Sequence, residues 1–384
     1  MLKVYLKLYF YYFGSLSNRR FSPYNLKVYQ YFPDYFYKRP RVEKTDFLID
    51  IFDLSYATAR TICSHQLNNK ELYFDVIASF LSHLNFIETT SRPLLLSESR
   101  YQRLRDFSRT TRIGEMAQGL NVHFCGSRLN FPFIIDFDLA KNHILSQLNI
   151  QNSGKSPDFL VINQSLDKIG LLESKGTMGG VVSGKSGYLS GAMEQIDAVE
   201  NPCFDYNIPI CIKFENNNDV SDPFNIPTNK VSSVNYSVLE NECADPKVLT
   251  RLFKLHYASW FYLVGDFERV NELLESGTIT SLENDTKYEI DRETDAKNPI
   301  YWLNSFEQSS FISKNFDFSL TLFNPPIPRE GKHYFRIGIY KSVADNLVGE
   351  VDDGFPIPEV NNINYLKQYP DGTLLFIRIS QKLV

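Results

Sequence analysis

Two short apolar runs on either side of a polar turn constrain this chain more than any other stretch. Phe159, Leu160, Val161 and Ile162 are β-formers, residues 163–168 carry turn chemistry, and Ile169, Gly170, Leu171 and Leu172 make a second run. The pattern predicts a β-hairpin. Ser156, Pro157 and Asp158 lead into its first strand, and Glu173, Ser174 and Lys175 continue its second. Side chains alternate along a strand, so Glu173 and Lys175 share one face. Antiparallel pairing can bring Asp158 beside that face. The result is two carboxylates and one ammonium at one end of a sheet.

Such a cluster has a chemical use. Carboxylates are hard oxygen ligands for Mg²⁺, which keeps several waters and has room for a phosphate oxygen. A bound cation acidifies water and offsets charge on a phosphoryl transition state, and a neighbouring lysine can orient the water or offset the same charge. Pro157-Asp158 followed by Glu173-Ser174-Lys175, with 14 residues between the two acids, resembles the PD-(D/E)XK signature of restriction-endonuclease-like nucleases. The resemblance covers roughly residues 100–200 at the level of short motifs. It implies a restriction-endonuclease-like mixed-sheet core with helices on both faces. It also implies Mg²⁺-dependent hydrolysis of DNA, with Mn²⁺ as a substitute, by Asp158 and Glu173 as metal ligands and Lys175 at the water. By association only, such domains belong to restriction or anti-phage defence. Ordinary solvated hairpin charges are the plain alternative for the same residues.

The flanks extend the resemblance. Ile113, Met116, Ala117 and Leu120 recur at helical spacing around Glu115, and a glutamate on the helix before the sheet would complete the metal site. Asp136 and Asp138, two residues apart, are rivals for that role. After the hairpin, Met193, Ile196 and Val199 form the stripe of a second helix, whose Gln195 matches a glutamine found near the site in several branches of the family. The fuller Gln-Tyr motif is absent, because Val199 stands where the tyrosine would be.

A competing motif overlaps this region. Gly179 through Ser186 matches the G-x-x-x-x-G-K-[ST] phosphate loop with Lys185 as its lysine. The residues before it are polar, Gly187 and Gly191 weaken the helix behind it, and strand 208–213 ends in Lys213 rather than an acid. A Gly-rich loop beside a nuclease site, with Lys185 on a DNA phosphate, accounts for it better than nucleotide hydrolysis. Arg100, Arg103, Arg105, Arg109 and Arg112 run directly into Glu115. They read either as a solvated helix face or as a phosphate-contact surface whose affinity falls with salt.

Charge and composition set the remaining bounds. The net charge of −5 hides an asymmetry. Residues 1–44 hold nine Lys and Arg against two acids, interleaved with aromatics, whereas residues 266–384 hold 12 against 19. A basic front suits a face that meets a polyanion, or a strand-rich packing segment with solvated charges. Five scattered cysteines with no C-x-x-C indicate neither zinc nor a disulfide framework, and the six histidines show no metal or nucleophile spacing. The apolar start is interrupted by Lys3 and Lys7 and is too short to span a bilayer. The expectation is therefore a cytoplasmic α/β protein that meets DNA, with a homo-oligomer or partner subunit open and no membrane. Its nuclease-like core would span 96–265. A basic, aromatic and helical region would occupy 1–95, with 46–52 leading into a helix through 56–62 and a second helix over 72–81. A further helix would begin at Asp245-Pro246, and an acidic α+β region with a rigid connector at 324–328 would occupy 266–384. The alternative to an enzyme is a non-catalytic nucleic-acid-binding or assembly subunit on the same fold.

Overall fold

A computed structural model of the chain describes residues 24–31, 43–49, 51–62, 67, 72–73, 76, 86, 96–97, 101–144, 151–152, 155–179, 182, 187–200, 204–214, 230–234, 236–237, 245–292, 297–303, 334–349 and 366–378. Contacts divide it into two units, one of them Pro23–Gly277. That unit contains β1 (Tyr24–Tyr31), β2 (Glu43–Ile49), α1 (Ile51–Ile62), α2 (Asp106–Arg128), β3 (Phe133–Asp136) and α3 (Phe137–His143). It continues through β4 (Gln151–Asn152), β5 (Phe159–Ile162), β6 (Ile169–Thr177), α4 (Tyr188–Asp197), β7 (Val199–Glu200) and β8 (Tyr206–Lys213). β9 (Lys230–Val234), β10 (Tyr236–Ser237), α5 (Pro246–Leu263) and α6 (Phe267–Glu275) complete it.

The main sheet runs β2-β1-β9-β8-β6-β5-β3, with β10 also on β8. Pairs β6/β8 and β1/β9 are parallel and the others antiparallel, so the chain is α/β with a mixed sheet. The predicted hairpin is there: β5 and β6 pair antiparallel from Phe159↔Leu172 to Ile162↔Ile169. All four β5 residues are buried, as expected for a central strand covered on both faces. The helix that begins at Asp245-Pro246, α5, also forms as read, with Asp245 accepting from Lys247 N at 2.9 Å and Pro246 in the first turn.

Two expectations are corrected. Residues 46–49 read as the lead-in to a helix, but they are strand. Phe47 and Ile49 are buried while Leu48 is 55% exposed, the period-two pattern of a strand with one wet face. The expected boundary at 95/96 is not where contacts divide the chain, because β1 and β2 extend the same sheet that holds β5 and β6. The expected helix over 72–81 and connector over 324–328 fall largely or wholly outside the described residues, as does most of the basic segment 1–44 apart from β1.

Helices cover both faces of β6. Ser174 and Gly176 face α2: a Cβ on Gly176 would lie 2.5 Å from Ala117 Cβ and 2.9 Å from Ile113 O. Lys175 faces the other way and meets Gln195 of α4. α2 is in turn clasped by α1, where a Cβ on Gly119 would lie 2.2 Å from Thr58 Oγ1 and 2.7 Å from Thr58 N. At the free edge of the sheet, α5 packs on β3 through Phe133, whose ring meets Phe253 at 4.9 Å and His256 at 5.6 Å. His256 Nδ1 lies 2.9 Å from both Ile134 N and Ile134 O, and Arg60 Nη2 lies 3.0 Å from its Nε2. This histidine covers part of an otherwise open strand edge.

The other unit, described from Thr278 onward, holds β11 (Tyr288–Asp291), β12 (Ile300–Leu303), β13 (Tyr334–Tyr340), α7 (Lys341–Val348), β14 (Leu366–Gln368) and β15 (Thr373–Arg378). Its strands form an antiparallel sheet in the order β11-β12-β13-β15-β14. The turn before β15 is set by Asp371, which accepts from Thr373 N at 3.0 Å, and by Gly372 at φ 77°. No helix among the described residues is long and apolar enough to cross a membrane.

In an open helix Gly→Ala stabilises by up to ~1 kcal/mol. At Gly119 the sign reverses, because the new methyl meets the Thr58 backbone. Gly119→Ala is expected to destabilise by about 1–3 kcal/mol, read as a lower urea midpoint with an unchanged slope.

Candidate active site

The site lies where β6 outruns β5. The β5 ladder stops at Phe159↔Leu172, while β6 continues to Thr177 paired only with β8. Pro157 has no N–H to extend the ladder. Side chains take over there. Asp158 N donates to Glu173 Oε2 at 2.9 Å, and Ser174 N donates to Asp158 Oδ2 at 2.9 Å. Each acid thus satisfies the backbone of the strand opposite, and the two carboxylates are held side by side.

Glu173 is 1% exposed. Its Oε1 accepts from Lys175 Nζ, which also donates to Gln195 Oε1. Gln195 Nε2 reaches Ser156 O at 3.4 Å, so α4 ties the lysine to the loop ahead of Asp158. Lys175 keeps 26% of its side-chain surface open to solvent, enough to meet a ligand from outside.

Burial, first, and then mutual repulsion push the Glu173 carboxyl well above its ordinary value, with Lys175 opposing. Asp158 is also raised. Burial is the main cause and Asp136 adds to it, while the Ser174 N–H and Lys175 pull the other way. Two buried acids resisting ionisation are what a divalent cation would relieve. The neighbouring Cys211, opposite Lys175 in the parallel ladder, packs with Leu189, Val182 and Met193. Its thiol is pushed up to about 12 by burial, so it is no nucleophile near neutral pH.

The other sequence candidates fare differently. Asp158, Glu173, Lys175 and Gln195 come together in one bonded cluster. Glu115 accepts from Arg112 Nη1 at 2.8 Å. Asp136 stands opposite Phe159 and caps α3, accepting from Leu139 N at 2.9 Å, whereas Asp138 is exposed. Among the described residues no three His, Cys, Asp or Glu side chains gather to hold a metal ion, so neither Glu115 nor Asp136 completes a three-acid set.

The arginine run also divides. Arg103 and Arg105 are exposed. Arg109 is turned onto its own chain, donating to Leu104 O and Gln102 O at 2.8 Å each and lying 5.5 Å from the Tyr101 ring centre. Arg112 is paired with Glu115. Arg100, Lys185 and most of the Gly179–Ser186 loop lie outside the described residues. α4 begins only at Tyr188, beyond the loop's lysine and serine.

One contributor escaped the sequence reading. Asn121 is fully buried on α2 and donates through Nδ2 to Ser174 Oγ at 2.7 Å. Its signal was present, because it falls four residues after Ala117 on the face that meets the sheet.

The donor set suits a water-rich Mg²⁺ or Mn²⁺. Both carboxylates are hard oxygen ligands, and Asp158 Oδ1 carries no hydrogen bond among the described residues. No protein-family model, no curated protein and no solved structure matches this chain.

A raised carboxylate holds its proton more tightly folded than unfolded. Its contribution to stability is complete below the unfolded value of about 4 and is lost as pH rises through the folded value. Metal-free protein is therefore expected to lose stability from about pH 4 toward neutrality at this site, and Glu173→Gln to flatten that slope. Mn²⁺ at a hundredfold excess over its Kd should stabilise the wild type by about 2.7 kcal/mol and leave Glu173→Gln nearly unmoved. Thermal melts across pH, with and without the ion, check both.

Proposed function

We propose that Pro23–Gly277 forms a metal-dependent nuclease of the restriction-endonuclease-like class, hydrolysing phosphodiester bonds in DNA. The observation that carries the reading is the bonded cluster of Asp158, Glu173, Lys175 and Gln195 at the end of the β5–β6 hairpin. The mixed sheet with α2 and α4 on opposite faces of β6 supports it. So do the raised carboxylates, which are ready for a cation.

Asp158 and Glu173 would hold Mg²⁺, with Mn²⁺ as a substitute. When bound, the ion supplies an acidified water and offsets negative charge on the phosphoryl group. Lys175 donates to a phosphate oxygen or to the attacking water and balances the charge that develops as the bond to the leaving oxygen breaks. Gln195 keeps the lysine on the correct side of β6. Arg103 and Arg105, exposed just ahead of α2, would meet the phosphate backbone. A role in restriction or anti-phage defence is consistent with this activity and rests on the family resemblance alone.

Purified protein incubated with plasmid and linear DNA should cleave in Mg²⁺ or Mn²⁺ and not in EDTA. Lys175→Ala should lower the rate at least a hundredfold, in the range seen when one transition-state donor is removed, without weakening DNA binding. Equal cleavage by the variant would sink the assignment. DNA binding without cleavage in any divalent ion would replace it with a non-catalytic nucleic-acid-binding subunit.

The arginines give a separate readout. Arg103→Ala/Arg105→Ala should weaken DNA binding and flatten its salt dependence by about two units of log–log slope. Arg109→Ala should leave that slope unchanged and lower stability instead.

A further inference from the structure

We infer that Asn121 is a positioning residue for this site, acting through Ser174 from the opposite face of the sheet; the inference rests on the nuclease reading above. Ser174 lies between Glu173 and Lys175 on β6, and its side chain points to α2 while theirs point to α4. Its N–H holds Asp158 Oδ2 at 2.9 Å, and its Oγ accepts from Asn121 Nδ2 at 2.7 Å. The same Nδ2 lies 3.4 Å from Lys175 O and 3.5 Å from Ile210 O. One buried amide therefore touches the residue between the two site side chains, the carbonyl of the site lysine, and the neighbouring strand β8.

This clamp falls where β6 most needs one. Residues 173–177 have lost the β5 ladder: β8 pairs one edge throughout, and on the other the Ser174 N–H is held by the Asp158 side chain instead of a strand. A strand held on one side can twist, and a twist at Ser174 would turn Glu173 and Lys175 away from Asp158. Asn121 supplies the second hold from below.

Stability does not explain the choice of asparagine. Its Oδ1 is buried without a hydrogen-bond partner, which destabilises the fold. A leucine has similar bulk, removes the orphaned Oδ1 together with the bond to Ser174 Oγ, and is apolar like Ile113, Ala117 and Leu120, buried on the same helix. The amide is better accounted for by what it holds than by what it contributes to the core.

The test uses the full-length protein carrying Asn121→Leu, with Ser174→Ala as a second variant that removes the same bond from its other end. The expected result for Asn121→Leu is a Tm no lower than wild type. In metal-free protein, amide hydrogen exchange at Ser174 should be faster. Mn²⁺ affinity by calorimetry and kcat on DNA should fall about 10–100-fold, with KM for DNA little changed. The double variant should be no worse than the poorer single one, because both break one link. Unchanged Ser174 exchange and Mn²⁺ affinity would overturn the inference, as would losses that follow a fall in Tm. If the wild type neither binds Mn²⁺ nor cuts DNA, the nuclease reading fails. The metal-free exchange at Ser174 then still decides whether the clamp exists.

Discussion

The site depends on a strand that continues after its neighbour has stopped. β6 runs five residues past the last β5 pair, and Pro157 opposite Ser174 cannot donate to continue the ladder. Buried backbone groups left without partners are costly, so the strand end must be satisfied by side chains. Asp158 and Glu173 do this reciprocally, each bonding the other strand's N–H. The same bonds that close the hairpin hold two carboxylates together against their repulsion. The structural and chemical roles of these acids are therefore inseparable. Neutralising either one changes the strand end as well as the charge.

The two faces of β6 divide the work. Toward α2 the residues are small, and the backbone of the helix approaches closely: Gly176 lies under Ala117 and Ile113, and Gly119 lies against Thr58 on α1. Close packing of this kind resists movement, so α1, α2 and the sheet form a stiff support. Toward α4 the residues are polar and partly open, with Lys175 and Gln195 reaching the surface around buried Glu173. A rigid back and a wet front let the front hold charged groups out of their preferred ionisation states without the strand relaxing away.

Much of this was legible beforehand for local reasons. The hairpin was visible because β-formers, turn residues and β-formers follow one another within 14 residues, and α5 because Asp245 and Pro246 announce its start. Elsewhere side-chain partners and the sheet, rather than local pattern, settled the outcome. β2 looked helical in residues 46–49, since Asp46 and Asp50 disguise a strand whose inward side chains are Phe47 and Ile49. The five arginines look equivalent in sequence, yet Arg109 bonds carbonyls up to seven residues back and Arg112 pairs with Glu115, the candidate third ligand. The sequence places Asn121 on the sheet-facing side of its helix, but not its role there, because its partner Ser174 is 53 positions away.

The sequence by itself determined which residues alternate, which turn, and which acids fall two or fifteen positions apart. Strand periodicity and turn chemistry are local properties of the chain, and they sufficed to bring Asp158, Glu173 and Lys175 to one hairpin end. Only the tertiary structure decided that Gln195 would close over the lysine and that the strand would be clamped from behind by Asn121. Those outcomes depend on how α2 and α4 dock on opposite faces of β6. Docking is set by packing volume and burial across the whole sheet, which no window along the chain contains.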